Sequence, residues 1–446
     1  MPDTPLASDR GRATHTPRGG RLPRGVLLML AGAILSSACP CGASAGDFAL
    51  RDGDTVVFLG DSITAARTYG RIVENYTLLR FPDRKVHFLN AGWGGDTAEG
   101  GLRRLDRDVL DRGATVLIVA YGVNDIGWGT HADEVHRRIY LDSIRGIVER
   151  AKARKVRVYI CSAAATAESP DAAERGFLQT MCDDGMAIAR ELGEHAIDIQ
   201  RGMRAIQRAV LKANERAKPE DRQSLHVADG VHLNDLGQLA MAFSILKGLD
   251  APAEVSSVAI DVSADGPRAA EARGCKVNRV TGGPDRLEFD RLDDGLPLNF
   301  GLFGALNFRY VPIPEELNRY LLRVRGLPTG RYAIEADGRG LGTWTDAELA
   351  RSVNLASATA DGWQPGGPWD AQAWILQDMT QGRDKMASGR LFLDHYLPAH
   401  PDGVRLHALD SEINARIEDL QRALVKPRPF HFVIHPAPAE ATKVSP

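Results

Sequence analysis

The chain has 446 residues and a formal net charge of −3, with 43% hydrophobic and 25% charged residues. That length is too great for one average domain, and the composition is typical of a globular protein. The near balance of charge gives no reason to expect a nucleic-acid partner. We therefore expect two or more domains and a function that does not depend on binding DNA or RNA.

The first 45 residues have the pattern of a secretory signal peptide. Five arginines precede an apolar run from Val26 to Leu35, and small residues follow up to Ala45. The run is too short to span a bilayer, and the Ala-x-Ala site predicts cleavage before Gly46. Cleavage removes five arginines and two aspartates, which changes the net charge from −3 to −6. The mature chain is thus expected to be secreted or periplasmic, and the alternative is a lipid anchor at Cys39.

Three cysteines remain after that cleavage, namely Cys161, Cys182 and Cys275. Three thiols allow at most one bridge, so they do not form a disulfide scaffold. The sequence leaves open whether any two of them pair. Cys161 lies in an apolar segment, and we expect it to be a buried small hydrophobe rather than a reactive thiol.

From residue 54 to about 250, apolar strands alternate with helical segments. Strands that are apolar throughout and separated by helices predict a parallel sheet covered on both faces. The expected fold is therefore α/β, a three-layer doubly wound sheet of the flavodoxin-like type. The predicted strands are Thr55–Leu59, Lys85–Asn90, Ala114–Ala120, Val156–Ile160 and Ala196–Ile199, and the predicted helices include Tyr69–Leu79, Asp133–Lys152, Ala172–Leu192 and Leu236–Leu246.

After Pro252 the pattern changes to segments that alternate like half-buried strands, among them Val255–Val262, Tyr320–Val324 and Arg331–Ala336. Residues 370–425 become helical again. The predicted organisation is a signal peptide at 1–45, a catalytic domain at 46–250, a β-rich and then helical accessory region at 251–435, and a tail at 436–446.

Four short blocks carry the residues that acyl transfer needs. Each lies where a predicted strand ends or where the last helix of the first domain begins. Loops at the carboxyl ends of parallel strands converge on one crevice, so the blocks are expected to share a site. The blocks are Gly60-Asp61-Ser62, Asn90-Ala91-Gly92-Trp93-Gly94-Gly95, Gly122-Val123-Asn124-Asp125 and Asp229-Gly230-Val231-His232.

The residue types in these blocks suit nucleophilic catalysis. The Ser62 hydroxyl needs a base to take its proton, and His232 is the candidate, with Asp229 three residues before it to fix the imidazole tautomer. The oxyanion that forms next needs preset donors. The Ser62 N–H, a glycine N–H and the Asn124 amide are the candidates. Taken alone, the serine block also fits an ordinary turn, and the Asp229–His232 block also fits a surface turn.

Together, in this order and spacing, the four blocks resemble the SGNH hydrolases, also called the GDSL esterase/lipase family. The resemblance covers roughly residues 54–250. It implies Ser62 as nucleophile, His232 as base, Asp229 as the acid of the triad, and Gly95 and Asn124 as oxyanion donors. Gly95 is matched by position, since Gly92 and Gly94 lie in the same block. The absence of a Gly-x-Ser-x-Gly motif argues against an α/β-hydrolase.

The remaining candidates are weighed against structural roles. Asp61 and Asp125 are expected to stabilise turns rather than to react. Trp93 and Trp128 lie in or next to the motif loops, where exposed rings suit sugar substrates, but they also fit simple packing of the loops. No His/Cys cluster has the spacing of a zinc site, so we expect no metal and no cofactor.

The sequence thus predicts a secreted serine ester hydrolase, with a carbohydrate O-acetylesterase as the leading form. The alternatives are a lipase-like or arylester hydrolase of the same family, or a carbohydrate-binding protein on an inactive hydrolase fold. The expected partner is a small-molecule or polysaccharide ester, and no membrane span is predicted. The acyl group, the alcohol and the oligomeric state are not given by the sequence.

Overall fold

The first half of the fold is built on a five-stranded sheet. The structure is a computed structural model that describes residues 48–300, 304–364 and 366–437. The predicted signal peptide, the anchor at Cys39 and all but the first two residues of the predicted tail lie outside these residues. The strands are β1 (Thr55–Gly60), β2 (His87–Gly92), β3 (Val116–Ala120), β4 (Arg157–Cys161) and β5 (His195–Ile197).

These strands run in the order β2-β1-β3-β4-β5, and every neighbouring pair is parallel. Val57 and Leu59 of β1 pack into an apolar core on one face, and Val56 and Phe58 pack into the core on the other. A strand that is buried on both faces must be apolar throughout, as these strands are. The arrangement confirms the predicted three-layer α/β fold.

Helices cover both faces of this sheet. Short 3₁₀ turns lie at Leu110–Arg112, Gly127–Gly129 and Pro219–Asp221. The α-helices are α1 (Ser62–Ala65), α2 (Thr68–Arg80), α3 (Ala98–Asp108), α4 (Glu134–Ala153), α5 (Pro170–Ala173), α6 (Phe177–Glu191), α7 (Ile199–Asn214) and α8 (Asp235–Gly248).

One predicted helix is divided in two. The segment Ala172–Leu192 was expected to be continuous, but α5 ends at Ala173 and α6 begins at Phe177. Gly176 has extended backbone angles and precedes α6 as its N-cap residue, without a side chain that could cap the helix. This extended conformation ends the first helix and lets the second begin at Phe177.

The second half contains two further sheets. Among the described strands, one sheet runs β13-β10-β6-β7 and the other β12-β11-β14-β9-β8, where the labels follow chain order. The strands are β6 (Glu254–Ser263), β7 (Gly266–Arg273), β8 (Cys275–Gly283), β9 (Arg286–Asp293), β10 (Arg319–Arg325), β11 (Arg331–Ala336), β12 (Arg339–Thr345), β13 (Val353–Asn354) and β14 (Phe430–Pro436).

The predicted β-rich character of this region is confirmed. Asp337 and Gly338 both have positive φ and form the tight turn between β11 and β12, as a two-residue hairpin requires. The last described strand, β14, was not anticipated; it pairs with β9 and β11 in an antiparallel manner.

The helices of the second half pack on the first. Among them, α11 (Pro368–Tyr396) lies against α2 and α12 (Gly403–Val425). Trp369, at the start of α11, and Phe430 of β14 belong to the same apolar core as Phe58 of the first sheet. The second half contains a 3₁₀ turn at Leu306–Arg309 and the helices α9 (Ile313–Glu316), α10 (Asp346–Arg351), α11 (Pro368–Tyr396) and α12 (Gly403–Val425).

Cys161, Cys182 and Cys275 are free thiols, and the first two are buried. Burial raises the pKa of the Cys182 thiol to about 12, which suits an inert core residue. In the part of the chain that the structure describes, no helix has both the length and the apolar character needed to cross a membrane.

Candidate active site

Ser62 lies at the carboxyl end of the central strand. β1 ends at Gly60, Asp61 follows as a cap, and Ser62 is the first residue of α1. The Asp61 carboxylate accepts the Ile63 N–H at 2.9 Å. A Cβ on Gly60 would come within 2.1 Å of the Thr64 hydroxyl oxygen, so only glycine fits this turn. Ser62 is half-buried at the carboxyl end of the sheet.

The structure brings Ser62, His232 and Asp229 into one hydrogen-bonded chain. The Ser62 Oγ lies 2.8 Å from His232 Nε2, and His232 Nδ1 lies 2.7 Å from Asp229 Oδ2. The other oxygen of Asp229 accepts the N–H groups of Val231 and His232, each at 2.9 Å. A single tight loop therefore holds both the acid and the base, and residues 170 positions apart meet.

The Asp229 carboxylate is held in its ionised form. Hydrogen bonds from the Val231 N–H and from the His232 side chain lower the pKa of Asp229 to about 2. A charged carboxylate at Nδ1 favours the tautomer that has its proton on Nδ1 and its lone pair on Nε2. That lone pair faces the Ser62 hydroxyl, which is the arrangement a general base requires.

Asn124 is oriented by two hydrogen bonds. Its Nδ2 donates to the Asp96 carbonyl oxygen at 2.9 Å, and its Oδ1 accepts from the Trp128 indole Nε1 at 2.8 Å. A rotated amide would place oxygen against oxygen at Asp96 and nitrogen against N–H at Trp128. The orientation is therefore fixed, and the second hydrogen of Nδ2 is free to donate to another acceptor.

Gly95 lies in the turn that precedes Asp96. The Asp96 N–H donates to the Trp93 carbonyl oxygen at 3.2 Å, and Gly95 has a φ of +73°, which disfavours other residues there. Gly95 is exposed, and its added Cβ would meet no atom within 4 Å. Because Asn124 bonds to the next residue, Asp96, the structure brings the loops of Gly95 and Asn124 into contact.

A buried polar cluster supports this turn. The Asp96 carboxylate accepts from Arg104 at 2.7 Å and from the Tyr121 hydroxyl at 2.7 Å, and Arg104 also donates to the Gly60 carbonyl oxygen at 3.3 Å. Arg104 thus connects the Gly95 turn to the end of β1. The sequence analysis missed this role, because the sequence of an amphipathic helix does not distinguish an arginine that bonds to a neighbouring turn from one that is exposed to solvent.

Asp61 and Asp125 are buried beneath the site. The Asp125 Oδ1 accepts the Ala98 N–H at 2.9 Å, and so caps the start of α3. Burial raises the pKa of Asp61 to about 6 and that of Asp125 to about 7. Both carboxyls bond to backbone groups of turns or helix ends, in agreement with the structural roles expected for them.

The two loop tryptophans differ in their surroundings. Trp128 is 49% exposed, and its ring centre lies 5.6 Å from that of His232. Trp93 is half-buried, and its ring lies 4.5 Å from that of His395 at the end of α11. Trp128 therefore faces the candidate site, whereas Trp93 packs against the second half of the chain.

A cavity of about 490 Å³ opens beside the Asp229–His232 loop. Trp128 and Val231 lie on its wall, together with apolar side chains such as Ile126 and Phe177. In the described ranges, no group of three or more His, Cys, Asp or Glu side chains is placed to hold a metal ion. Ser62, His232 and Asp229 together provide a nucleophile, a base and a group that orients the base, the parts that acyl transfer needs.

Comparisons with known proteins identify a matching family and similar structures. Residues 58–240 match the GDSL-like lipase/acylhydrolase family, which confirms the resemblance stated from the motifs. A search of curated proteins found no match. The chain is similar to a gut microbial diltiazem-metabolizing enzyme, with 20% identity over 87% of this chain and 98% of that one, and a TM-score of 0.76. That likeness shows a shared fold that extends into the second half.

Two further structures are each similar over 45% of this chain. One is an acetylxylan esterase from Geobacillus stearothermophilus, with 18% identity over 45% of this chain and 96% of that one, and a TM-score of 0.37. The other is an alpha/beta hydrolase enzyme from the metagenome of Lake Arreo, Spain, with 19% identity over 45% and 97%, and a TM-score of 0.38.

Proposed function

We propose that residues 58–240, which match the GDSL-like lipase/acylhydrolase family, form the domain of a carboxylic ester hydrolase with Ser62, His232 and Asp229 as its catalytic triad. The observation that carries the proposal is the 2.8 Å contact between Ser62 Oγ and His232 Nε2, continued at 2.7 Å to Asp229. A nucleophile, a base and a group that orients the base are the three parts that covalent ester hydrolysis needs.

In the first half-reaction, Ser62 Oγ attacks the ester carbonyl carbon while His232 Nε2 takes the hydroxyl proton. The tetrahedral intermediate collapses, the C–O bond to the alcohol breaks, and His232 gives its proton to the leaving oxygen. In the second half-reaction, His232 takes a proton from water, and the resulting hydroxide attacks the acyl-Ser62. Collapse of that intermediate releases the acid and returns the proton to Ser62.

We further propose that the oxyanion is held by the N–H groups of Ser62 and Gly95 and by the Asn124 amide. Ser62 is the first residue of α1, so its N–H has no partner within the helix. Two observations support the other donors: Gly95 lies in an exposed turn with an open approach, and the second Nδ2 hydrogen of Asn124 is uncommitted. Loss of one such donor typically lowers kcat by about 10²–10³.

The test is covalent labelling of Ser62 with a fluorophosphonate probe, followed by mass spectrometry. We expect stoichiometric labelling of the wild type and none of Ser62→Ala, which should also lose hydrolysis of 4-nitrophenyl acetate. Ser244→Ala is the control variant, because Ser244 is buried and donates to the Ala240 carbonyl oxygen. It should keep both labelling at Ser62 and hydrolysis. A binding protein on an inactive fold would leave Ser62 unlabelled, and that result would end the proposal.

For the substrate, we propose a carbohydrate O-acetylester. The supporting observation is Trp128, an indole that is half-exposed beside the His232 ring, since aromatic faces suit the apolar face of a sugar ring. The sequence pattern of residues 1–45 agrees with an exported enzyme that meets polysaccharides. Acetate release from acetylated xylose and glucose, compared with 4-nitrophenyl acetate, tests this preference.

A second candidate, an arylester or lipase-like hydrolase, is favoured by the apolar part of the cavity wall. Val123, Ile126 and Phe177 line it, and such side chains would also receive an aryl or acyl group. The two candidates separate on a series of 4-nitrophenyl esters. A steep rise in kcat/KM from acetate to octanoate supports the second candidate, whereas a preference for acetate supports the first.

A further inference from the structure

The hairpin of α11 and α12 has a polar face and an apolar face. The polar face packs on the first half of the chain, where Gln421 of α12 is buried and donates to Glu74 of α2 at 3.3 Å. The apolar face of α12 is formed by side chains that are 40–57% exposed, namely Leu406, Leu409, Ile413 and Leu420. An amphipathic helix normally buries its apolar stripe, so this exposed stripe indicates a partner.

The apolar positions of α12 are symmetric about Ile413. Leu406 and Leu420 lie seven residues on either side of it, and Leu409 and the half-buried Ile417 lie four residues on either side. At about 100° per residue, the five side chains fall within an arc of about 80° around the helix. A two-fold axis at residue 413 of two antiparallel helices brings each residue before it opposite the equivalent residue after it. The stripe is therefore complementary to a second copy of itself.

The charges beside the stripe fit the same antiparallel pairing. Arg405 lies eight residues before Ile413 and Asp419 lies six residues after it, on the same flank of the stripe, and both are exposed. In the antiparallel pair, Arg405 of one copy lies within about 3 Å, along the helix axis, of Asp419 of the other. Within one copy these residues are about 21 Å apart, so they can bond only between copies.

We propose that the apolar face of α12 is the interface between two copies of this chain, paired antiparallel about Ile413. The pairing brings two helical hairpins together, and helix bundles bury their apolar stripes in this way. This inference does not depend on the proposed function, because it concerns the face of the hairpin that points away from α2.

The flank of the stripe favours a second copy over a lipid surface. It carries two arginines and two acidic residues, and one arginine and one acid already pair within the helix, Arg416 with Glu412 at 2.8 Å. Helices that bind anionic membranes have an excess of Lys and Arg on the polar side. A flank of mixed charge offers no such attraction, whereas it matches its own copy when the direction of the helix is reversed.

The first experiment measures the dissociation constant of the dimer by sedimentation velocity over micromolar concentrations of the whole chain. We expect the wild type to dimerise and Ile413→Glu to raise the dissociation constant by about a hundredfold or more, because two carboxylates then face each other across the axis. Ile139→Glu is the matched control, since Ile139 of α4 is 43% exposed against 45% for Ile413. That variant should dimerise like the wild type.

A charge reversal tests the register of the two helices. Arg405→Glu alone and Asp419→Arg alone should each raise the dissociation constant by about threefold to tenfold, because each places like charges opposite one another. The double variant should restore the wild-type value. Since the two residues are about 21 Å apart within one copy, such a rescue arises only from a contact between copies.

Crosslinking with a short bismaleimide tests the direction of the helices. Copies of Ile413→Cys should be joined to each other, and copies of Leu406→Cys should be joined to copies of Leu420→Cys rather than to themselves. The background leaves only the two buried thiols, Cys161 and Cys182, and replaces the other three cysteines through Cys39→Ser, Cys41→Ser and Cys275→Ser.

A wild type that stays monomeric throughout the concentration series overturns the inference. A dimer that is unaffected by Ile413→Glu and by both charge reversals also overturns it, as does preferential crosslinking of Leu406→Cys to itself. A monomer that floats with phosphatidylglycerol vesicles, and loses this binding in Ile413→Glu, assigns the stripe to a lipid surface instead.

Discussion

The hydrogen bond between Trp128 and Asn124 gives a sharp test of how the oxyanion site is organised. Trp128→Phe keeps an aromatic ring beside His232 but removes the indole N–H that donates to Asn124 Oδ1 at 2.8 Å. Without that bond, the Asn124 amide keeps only its contact with the Asp96 carbonyl oxygen and samples more orientations. Fewer molecules then present Nδ2 to the oxyanion.

The expected decrease in kcat follows from the hydrogen bond that is lost. A neutral, partly exposed hydrogen bond is worth about 1 kcal/mol, and 1.36 kcal/mol corresponds to tenfold in rate. We therefore expect kcat to fall about fivefold, well below the 10²–10³ expected for loss of the Asn124 donor itself. KM for 4-nitrophenyl acetate should change little, because the lost interaction acts through a transition-state donor.

A double-mutant cycle tests the reasoning directly. In an Asn124→Ala background the amide is absent, so Trp128→Phe should have no further effect on kcat. Trp374→Phe is a suitable control, since Trp374 is also about half-exposed but lies on α11. Equal losses from Trp128→Phe in both backgrounds, or a rise in KM with kcat unchanged, would refute the argument.

Three further predictions concern groups with perturbed charge. Burial raises the pKa of Asp125 from 3.8 to about 7, so its native form binds a proton that the unfolded chain releases near pH 4. The contribution of this proton to the free energy of unfolding is therefore complete below about pH 4 and is lost as pH rises to 7. Between pH 5 and 8, the free energy of unfolding measured in urea should decrease less for Asp125→Asn than for the wild type, by at most about 3 kcal/mol; identical pH dependence would contradict this. Arg383→Met leaves the buried Glu74 carboxylate, 2.5 Å from Arg383, without its cationic partner, and should lower the free energy of unfolding at pH 8 by about 3–5 kcal/mol. Because burial raises the pKa of Glu74 to about 7, the decrease in the free energy of unfolding should be smaller at pH 5 than at pH 8. An equal decrease at the two pH values would contradict this prediction. Asp229→Asn should lower kcat by about 10⁴-fold by favouring the wrong His232 tautomer; single-turnover kinetics that match the wild type would count against the triad.

The parallel sheet could be predicted because strands that are buried on both faces are apolar throughout, and the sequence shows this pattern directly. Strands such as β3 (Val116–Ala120) contain only apolar residues, and the helices between them have the 3.6-residue period. The division between α5 and α6 has no comparable pattern in the sequence. The apolar positions on both sides of Gly176 continue the same period, so only the backbone shows the interruption.

The motif residues could be named from the sequence, but the residues that orient them could not. Asp96, Arg104 and Tyr121 meet through folding of three separate elements, and no short-range spacing connects them. Trp128 was noted for its ring, whereas the structure adds its indole N–H and a left-handed backbone, with a φ of +56°. Such a conformation depends on tertiary contacts that propensity does not encode.

The second half of the chain contacts elements on two sides of the candidate site. α11 bonds to α2, the helix that follows the Ser62 turn, through Thr380 to Asn75 at 2.7 Å and through Arg383 to Glu74. Asp384 holds Arg67, whose φ of +64° marks the left-handed junction between α1 and α2.

On the other side, His395 packs against Trp93, in the turn that presents Gly95. Buried polar pairs of this kind are costly to separate, since each leaves a partner unsatisfied. The helical part of the second half therefore supports both the Ser62 turn and the Gly95 turn, without contributing a side chain to the proposed triad. We infer that the boundary predicted near residue 250 divides two patterns of sequence but not two independent units of stability, because α2 needs α11 to satisfy its buried charges.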